Sequence, residues 1–262
     1  MLLTENHFSL IANKKINSNM VSAMGGLQFA GDIVGLQRPH RLAMFLAQTA
    51  HESMGWTYDR EIWGPTEAQL GYEGRKDLGN TQPGDGSLFR GYTPMQITGR
   101  YNATKFYEWC VKTFPDQKVP DFTKNPELMN TDPWEGIGPL WYWAFGKPAS
   151  LNISADRGDF KENTRLINGG YNGINDRYRY YGRAGLILLG ESPDGIKEFQ
   201  RANGLVADGI VGTLNSDKTA KAIHKKLYVL SDVRFTDKPT VVKSTYSFMD
   251  SVVNFFSSLF GR

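Results

Sequence analysis

The sequence predicts a mainly α-helical protein, with one large helical domain followed by a small helical unit. From about residue 5 to residue 58 the apolar residues recur at helical spacing, and one stripe collects Leu42, Phe45, Leu46 and Thr49. The aromatic-rich stretch "PWEGIGPLWYWAF" predicts a second buried helix over about 133–145. With 40% hydrophobic residues, a chain of 262 residues can form the packed core that such a fold needs.

The helices have recognisable ends in the sequence. Pro39 stands where a helix can begin, because proline fits the first helical position. Residues 64–91 are rich in Gly, Asp, Asn and Pro and predict a long loop, which is more often functional than decorative. Residues 160–190 have the pattern of a helix, a glycine-rich break and a second helix that ends near Gly190.

Changes in composition divide the chain. We expect a first domain over residues 1–190 and a compact helix–loop–helix unit over residues 191–229. Residues 230–246 are polar and β-branched, which predicts a linker or an extended segment, and residues 247–262 have an amphipathic helical pattern. Because the unit 191–229 is short, its apolar face must find a partner.

The C-terminal segment 247–262 places apolar residues on one face and Ser, Asp and Asn on the other. It is too short to span a bilayer. Two interpretations remain open. The segment can lie in a membrane interface, although its polar face lacks the usual basic residues, or it can dock on the protein itself or on another copy.

Composition excludes several classes of function. The net charge of +3 comes without a long basic run or a recognition motif, so we expect no nucleic-acid partner. The single cysteine, Cys110, cannot form an internal disulfide and is expected to be a buried small hydrophobe. The four histidines show no metal-ligand spacing with Cys or carboxylates, and no phosphate loop or dinucleotide motif occurs, so we expect no metal and no cofactor.

The stretch "TAHESMGW" places Glu52 at the end of the apolar helix. A carboxyl group in an apolar setting is costly unless it is paired or protonated, and a protonated carboxyl near neutral pH can serve as a general acid. Glu61 follows nine residues later in a polar loop, where it suits the role of base. Such a pair flanking a cleft can hydrolyse a glycosidic bond. The alternative is that Glu52 is only a solvated helix end; Glu67 and Glu73 are also within reach as the second carboxylate.

Four ordered blocks carry a family resemblance, namely "FLAQTAHESMGW", "REIWGP", "PMQITGRYN" and "INGG" with a following "DR". Together they resemble glycoside hydrolase family 19, which holds plant-type chitinases and many bacteriophage endolysins. The resemblance covers roughly residues 20–190. The blocks "AQTAHES" and "GDG…QITG", with the intervening "YEGRKDLGN", resemble the endolysin branch in particular. It implies a lysozyme-like, family 19 chitinase-like helical catalytic domain.

The resemblance implies roles for the two glutamates. The general acid of the family matches Glu52 and its second carboxylate matches Glu61, with Glu73 in "YEGR" as the alternative. The family also implies an inverting mechanism, for which the two carboxyl groups lie roughly 6.5–9.5 Å apart.

The resemblance also implies residues that position water and sugar. These are Gln96, Thr98, Tyr101, Asn102, Asn168 and Arg177. Thr98 would hold the attacking water, and amide side chains would bind sugar hydroxyl and acetamido groups. Arg177 would hold a carboxylate in its ionised form. Two alternatives stay open, because Asn168 can simply turn the chain and Arg177 can be a surface or scaffold residue.

One departure from the family pattern stands just before Gln96. Relatives often have Gly-Arg-Gly there, whereas this chain has Gly91-Tyr92-Thr93 followed by Pro94. A tight glycine turn has become bulkier and stiffer, which puts the neighbouring substrate subsite in question.

The stretch "IKEFQRANGLVADGIVG" resembles the peptidoglycan-binding type 1 module. Only the second half of such a module is present, and the missing helix can come from the end of the first domain, "RAGLILLG". The unit 191–229 is therefore either a wall binder or a structural remnant.

These observations favour an endolysin that hydrolyses β-1,4 bonds of peptidoglycan strands, acting as a monomer. A chitinase, a lytic transglycosylase and a non-catalytic wall-binding or virion protein remain alternatives. The N-terminus has no secretory signal, so we expect synthesis in the host cytoplasm, release through a holin and action on the cell wall.

Overall fold

Helices provide the regular structure of residues 2–235, which are the residues that the computed structural model describes. Two 3₁₀ turns, at Lys76–Leu78 and Pro126–Asn130, stand among them. The α-helices of this range are α1 (Glu5–Ala12), α2 (Ser18–Ala30), α3 (Pro39–Glu52), α4 (Glu67–Leu70), α5 (Asp85–Leu88), α6 (Arg100–Thr113), α7 (Trp134–Phe145), α8 (Asn152–Asp156), α9 (Phe160–Asn168), α10 (Ile174–Leu188), α11 (Ile196–Ala202) and α12 (Lys218–Tyr228).

The predicted mainly α fold class is confirmed. Extended pairing in residues 2–235 is confined to single bridges between Arg60 and Tyr92, Tyr92 and Ile97, and Leu2 and Arg234. No helix in this range has the length and apolar composition of a membrane span. The amphipathic segment 247–262 predicted from the sequence lies outside the described residues, as does most of the predicted linker.

Helix α3 lies at the centre of the fold. It begins at Pro39, whose missing N–H costs nothing at the first helical position. Its residues from Leu42 to Ala50 are all buried, because α10, α8 and α12 pack around it. A helix covered on several sides holds the side chains at its end in fixed positions, and Glu52 is the last residue of α3.

Helices α2 and α7 cross at a pair of glycines. A Cβ atom on Gly26 would overlap the backbone of Gly136, and one on Gly136 would overlap the carbonyl oxygen of Ser22. The two backbones therefore touch, and α7 is held against the core along its buried, aromatic-rich face. Its observed bounds agree with the helix that the sequence predicts over about 133–145.

The C-terminal unit packs on the helical body. Ile223 and Leu227 of α12 are fully buried, and Ile223 lies so close to Gly185 of α10 that a Cβ there would collide with it. The segment after α12 also returns to the body, since the Val233 amide donates to the Gln37 carbonyl oxygen at 2.7 Å. The apolar face that the sequence leaves without a partner is thus covered by α10.

Two histidines reinforce this contact. His40 of α3 is buried and its Nε2 lies 2.9 Å from Asp156 Oδ1, while His224 of α12 hydrogen-bonds the Ala155 carbonyl oxygen at 3.0 Å. Burial lowers the pKa of both His40 and His224, so both rings are neutral near pH 7.

Candidate active site

Helix α3 ends at Glu52 because the next residues form a self-contained turn. The Ser53 hydroxyl donates to the Thr49 carbonyl oxygen at 2.6 Å and accepts from the Trp56 amide at 2.9 Å. Met54 and Trp56 take the left-handed conformation, with φ of 51° and 56°. Trp56 is buried against the ring of Phe8, which anchors the turn in the core.

Arg177 of α10 binds Glu52 directly. Its guanidinium Nη2 donates to Glu52 Oε1, Nη1 donates to Gln48 Oε1, and Nε donates to the Asn172 carbonyl oxygen at 3.1 Å. Arg177 has no exposed surface, whereas 23% of the Glu52 side chain is exposed. The predicted alternative of a surface arginine is therefore wrong, because α10 packs along α3 and buries this face. The sequence predicts apolar surroundings for Glu52, and the structure adds the buried guanidinium of Arg177 to them.

Gln48 belongs to this arrangement although sequence reasoning missed it. It is fully buried one turn before Glu52, and its Nε2 donates to the Thr164 hydroxyl of α9 at 2.9 Å. The four-residue spacing places Gln48 and Glu52 on the same helix face, which was the signal available in the sequence. Gln48 orients Arg177, and Arg177 in turn orients Glu52.

His51 ties the same helix end to α10 from another side. Its Nδ1 lies 2.7 Å from Asp176 Oδ2, and Arg179 donates to the other oxygen of Asp176 at 2.7 Å. Gly173 lies against the imidazole ring, where a Cβ atom would overlap it. His51 thus has a structural partner in α10.

Tyr142 and Lys147 are the further polar neighbours of Glu52. Burial, and then the negative charge of Glu52, raise the pKa of Tyr142, while burial lowers the pKa of Lys147. The Lys147 ammonium lies 5.3 Å from the centre of the Tyr142 ring. The charge of Glu52 therefore acts on Tyr142 near the end of α7 and on Lys147 just after it.

Glu61 is held in an extended segment beside a hairpin. Its amide donates to the Gly91 carbonyl oxygen at 2.8 Å, and the Gly91 amide donates back to Glu61 Oε2 at 3.1 Å. The other carboxylate oxygen accepts from Gln69 Nε2 at 3.0 Å and from the Tyr72 hydroxyl at 3.4 Å. An ionised carboxylate only accepts hydrogen bonds, so this set of donors suits its charged form.

Gln69 is a second residue that sequence reasoning missed. It is buried, and its Oε1 accepts from the amides of Thr66 and Gly64 at 2.8 and 3.1 Å while its Nε2 donates to Glu61. Thr66 and Gln69 form a capping box at the start of α4. The T-x-x-Q spacing signals that helix start in the sequence, but it does not signal the contact with Glu61.

Tyr72 completes the support of Glu61. Burial, and then the charge of Glu61, raise the pKa of Tyr72, so Tyr72 keeps its proton and remains a donor. The loop that the sequence predicts over 64–91 thus supplies two donors, Gln69 and Tyr72, to one carboxylate.

Glu73, the alternative second carboxylate, has a local structural contact. Its two oxygens accept from the amides of Gly84 and Gly86 at 2.7 and 2.8 Å, at the start of α5. Both contacts close the loop between α4 and α5.

The segment predicted to position water and sugar leads away from Glu61. Gln96 lies against Gly91, where its side chain leaves no room for a Cβ atom. The Thr98 hydroxyl donates to the Gln96 carbonyl oxygen at 3.1 Å, and Asn102 Nδ2 donates to the Thr98 carbonyl oxygen at 2.9 Å. Contacts therefore run from Glu61 through Gly91, Gln96 and Thr98 to Asn102.

These contacts end at an open groove of about 520 Å³. Its lining includes Tyr101, Asn102 and Lys147. Asn168 is exposed at the end of α9, next to Ile167, whose carbonyl oxygen accepts from Lys147 Nζ at 3.5 Å. Neither Glu52 nor Glu61 lines the groove. Asn102 is the lining residue that these contacts reach from Glu61, and Lys147 is the lining residue whose charge interacts with Glu52.

The departure at Thr93 does not open the hairpin. Tyr92 and Ile97 exchange two backbone hydrogen bonds, and Thr93 takes the left-handed conformation with φ of 62°. A β-branched residue is strained there, and its buried hydroxyl has no partner among the described residues. Asn130 stabilises the turn, because its Oδ1 accepts from the Thr93 amide at 2.8 Å. The turn is therefore kept at a cost in strain.

A buried carboxyl group lies behind this hairpin. Glu135 of α7 is 7% exposed, and one of its oxygens has no hydrogen-bond partner in the described part of the chain. Burial, followed by the charges of Asp59 and Asp132, raises the pKa of Glu135 to about 8. Glu135 is therefore protonated at neutral pH.

Residues 2–235 also include the cysteine and all four histidines of the chain. No group of three or more His, Cys, Asp and Glu side chains in this range is placed to hold a metal ion. Cys110 is buried in α6, and burial raises the pKa of its thiol. A buried thiol of that kind is a poor nucleophile.

No family model matches the chain. Two relatives do. A glycosyl hydrolase family 19 domain-containing protein of Haemophilus influenzae is 27% identical over 209 residues, which are 69% of this chain and 94% of that protein. An endochitinase of Solanum tuberosum is 29% identical over 230 residues, which are 72% of this chain and 65% of that protein.

Solved structures of chitinases have a similar fold. Chitinase C of Streptomyces griseus HUT6037 superposes with a TM-score of 0.53 and 21% identity, over 72% of this chain and 77% of that chain. A bacterial family 19 chitinase superposes with a TM-score of 0.52 and 20% identity, over 72% of this chain and 96% of that chain. The chain has the fold of the family 19 chitinases.

Proposed function

We propose that this protein is a family 19-type glycoside hydrolase that cleaves β-1,4 glycosidic bonds of peptidoglycan strands, as a muramidase. The observation that carries the proposal is the separate support of two carboxyl groups. Glu52 is held by buried Arg177, and Glu61 is held by Gln69, Tyr72 and the Gly91 amide. The fold and the two sequence relatives support a glycosidase.

Glu52 is the proposed general acid. Arg177 binds Oε1, which leaves Oε2 to carry the proton for the leaving glycosidic oxygen. The negative charge that remains on Glu52 after this transfer is stabilised by Arg177, which needs no rearrangement to do so.

Glu61 is the proposed general base. Its donors keep one orientation of the carboxylate, from which it can take a proton from water as that water attacks the anomeric carbon. The Thr98 hydroxyl donates to a carbonyl oxygen, so its own oxygen is left to accept from this water. Attack from the face opposite the leaving group inverts the configuration, and we therefore propose an inverting mechanism.

Peptidoglycan is preferred over chitin as the substrate because the segment 191–229 resembles a wall-binding module. We propose a phage endolysin role on the same basis, with a monomer released through a holin and acting on the wall. A chitinase is the second candidate, and the similarity to an endochitinase favours it specifically.

The deciding experiment is wall hydrolysis by wild type, Glu52→Gln, Glu61→Gln and Glu73→Gln, with the products identified by mass spectrometry. Colloidal chitin serves as the competing substrate. We expect wild type to leave hydrolysed reducing ends on wall fragments, and the first two variants to be folded and inactive. Glu73→Gln should keep activity within about threefold, since its oxygens bind only backbone amides.

Other outcomes would redirect the proposal. Anhydro-muramic ends would identify a lytic transglycosylase. Cleavage of chitin alone would identify a chitinase. An active Glu61→Gln with an inactive Glu73→Gln would move the base to Glu73. Binding to walls without any bond cleavage would leave a non-catalytic binder.

A further inference from the structure

The groove that the contacts from Glu61 reach at Asn102 has a basic lining. Three lysines face it, Lys105 and Lys112 from α6 and Lys147 from the segment after α7, against one carboxylate, Glu108. Lys105 and Glu108 form an ion pair at 2.9 Å. The lining therefore carries a net positive charge that one glutamate does not neutralise.

Aromatic side chains separate these charges. Tyr101 and Phe145 are about half exposed in the groove, at 56% and 52%, and Trp109 of α6 lies between Lys105 and Lys112. Exposed rings next to amide side chains are suited to the apolar faces and hydroxyl groups of sugars. An uncharged sugar polymer, however, gives the ammonium groups no ionic partner.

The spacing of the two α6 lysines sets the distance between the two charges that a ligand would meet. Lys105 and Lys112 are seven residues apart, which is two helical turns, so they lie on the same face about 10.5 Å apart along the axis. This separation is comparable with one disaccharide repeat of a β-1,4-linked glycan. In peptidoglycan every second sugar carries a lactyl ether, which ends in a carboxylate or in an acidic peptide.

We propose that this groove selects glycans whose alternate sugars carry carboxylates, with Lys105 and Lys112 as the specificity-determining residues. The inference rests on the proposed function, since it assigns the choice of substrate within the same site. It implies that wall glycans bind more tightly than chitin oligomers of equal length. The preference acts through charge, so it weakens as salt concentration rises.

The test measures binding to three tetrasaccharides by isothermal titration calorimetry. The probes are the alternating N-acetylglucosamine–N-acetylmuramic acid tetrasaccharide, its methyl ester, and the N-acetylglucosamine tetramer. Glu52→Gln protein is used so that no probe is cleaved. We expect the free acid to bind about threefold to tenfold more tightly than the ester and the tetramer at low salt.

The double substitution Lys105→Gln/Lys112→Gln, added to Glu52→Gln, should remove this preference and leave the affinity for the neutral tetramer unchanged. The matched control is Lys118→Gln/Lys124→Gln. Both of its lysines are exposed and lie outside the groove lining, and Lys124 pairs with Asp121 as Lys105 pairs with Glu108. The control should keep the preference.

Three results would overturn the inference. They are equal affinity for acid and ester, a preference that survives the double substitution, and an equal loss of affinity for all three probes. The proposed function fails separately, when wild-type protein cleaves no wall glycan. If the protein prefers the free acid but cleaves nothing, the inference about binding stands and the proposed enzymatic function is wrong.

Discussion

Arg177 on α10 binds Glu52 on α3 although 125 residues of chain separate them, and it does so without any exposed surface. The same guanidinium binds the Gln48 side chain and the Asn172 carbonyl oxygen. The position of the proposed acid therefore depends on the packing of two helices rather than on the local chain. This relationship gives the first of four predictions.

Arg177→Lys should lower kcat by about tenfold or more with a smaller change in KM. Lysine is a point charge and cannot reproduce the three directed hydrogen bonds of the guanidinium. Because Gln48 Oε1 is left buried without its donor, the free energy of unfolding should fall by about 1–3 kcal/mol. Steady-state kinetics and urea unfolding measure the two effects.

Arg165→Lys is the matched control, since Arg165 forms an exposed ion pair with Glu162 on α9. It should change neither kcat nor stability appreciably. A less stable Arg177→Lys with wild-type kcat and an unchanged pH–rate profile would mean that Arg177 only supports the fold.

Gln69→Met should reduce kcat by about 10-fold to 100-fold. Methionine has a similar length but cannot donate to Glu61 Oε1, so the carboxylate loses its shortest side-chain contact. Tyr72→Phe removes the longer contact of 3.4 Å and should cost less than Gln69→Met. Steady-state kinetics on both variants measure these effects. A folded Gln69→Met protein with full kcat would contradict Glu61 as the base.

Thr93→Gly should make the protein about 1 kcal/mol more stable than Thr93→Ala. Both substitutions remove the unpartnered buried hydroxyl, but only glycine relieves the left-handed backbone. The difference between their urea midpoints therefore isolates the backbone strain. Equal stabilities would show that the hairpin holds Thr93 without strain.

Glu135→Gln should stabilise the protein by an amount that grows with pH. The pKa of Glu135 is raised to about 8 in the folded state, above its ordinary value near 4.5. Between these values the folded state holds a proton that the unfolded state has released, so the wild-type free energy of unfolding falls as pH rises. We expect a gain of about 4 kcal/mol at pH 8 and little gain at pH 4.5.

Urea unfolding of both proteins at the two pH values measures this linkage. The same variant compared at the two pH values serves as its own control. A gain that is equal at pH 4.5 and pH 8 would contradict a buried, protonated Glu135.

The sequence was most informative where periodicity decides the structure. The stripe of Leu42, Phe45, Leu46 and Thr49 predicted α3, and both its start at Pro39 and its end near Glu52 follow from local chemistry. The aromatic run similarly predicted α7. Each of these features lies within one helix, so neighbouring residues suffice to predict it.

Contacts between distant segments were beyond such reasoning. Gln69 carries a visible helix-start signal, yet its bond to Glu61 depends on how the loop folds back. The left-handed Thr93 has no local signal, because a β-branched residue disfavours that conformation. Glu135 appears in sequence as an ordinary helical glutamate, and only the crossing of α2 and α7 shows that it is buried.

The seating of α12 on α10 restricts how this chain can be engineered. Cutting the chain at residue 190 would expose the surface that Ile223 and Leu227 now cover, so a fragment of residues 1–190 would present a new apolar patch to solvent. Exchanging the C-terminal unit for a foreign targeting domain would meet the same obstacle. A successful chimera would keep α12 in place and attach the new domain beyond it.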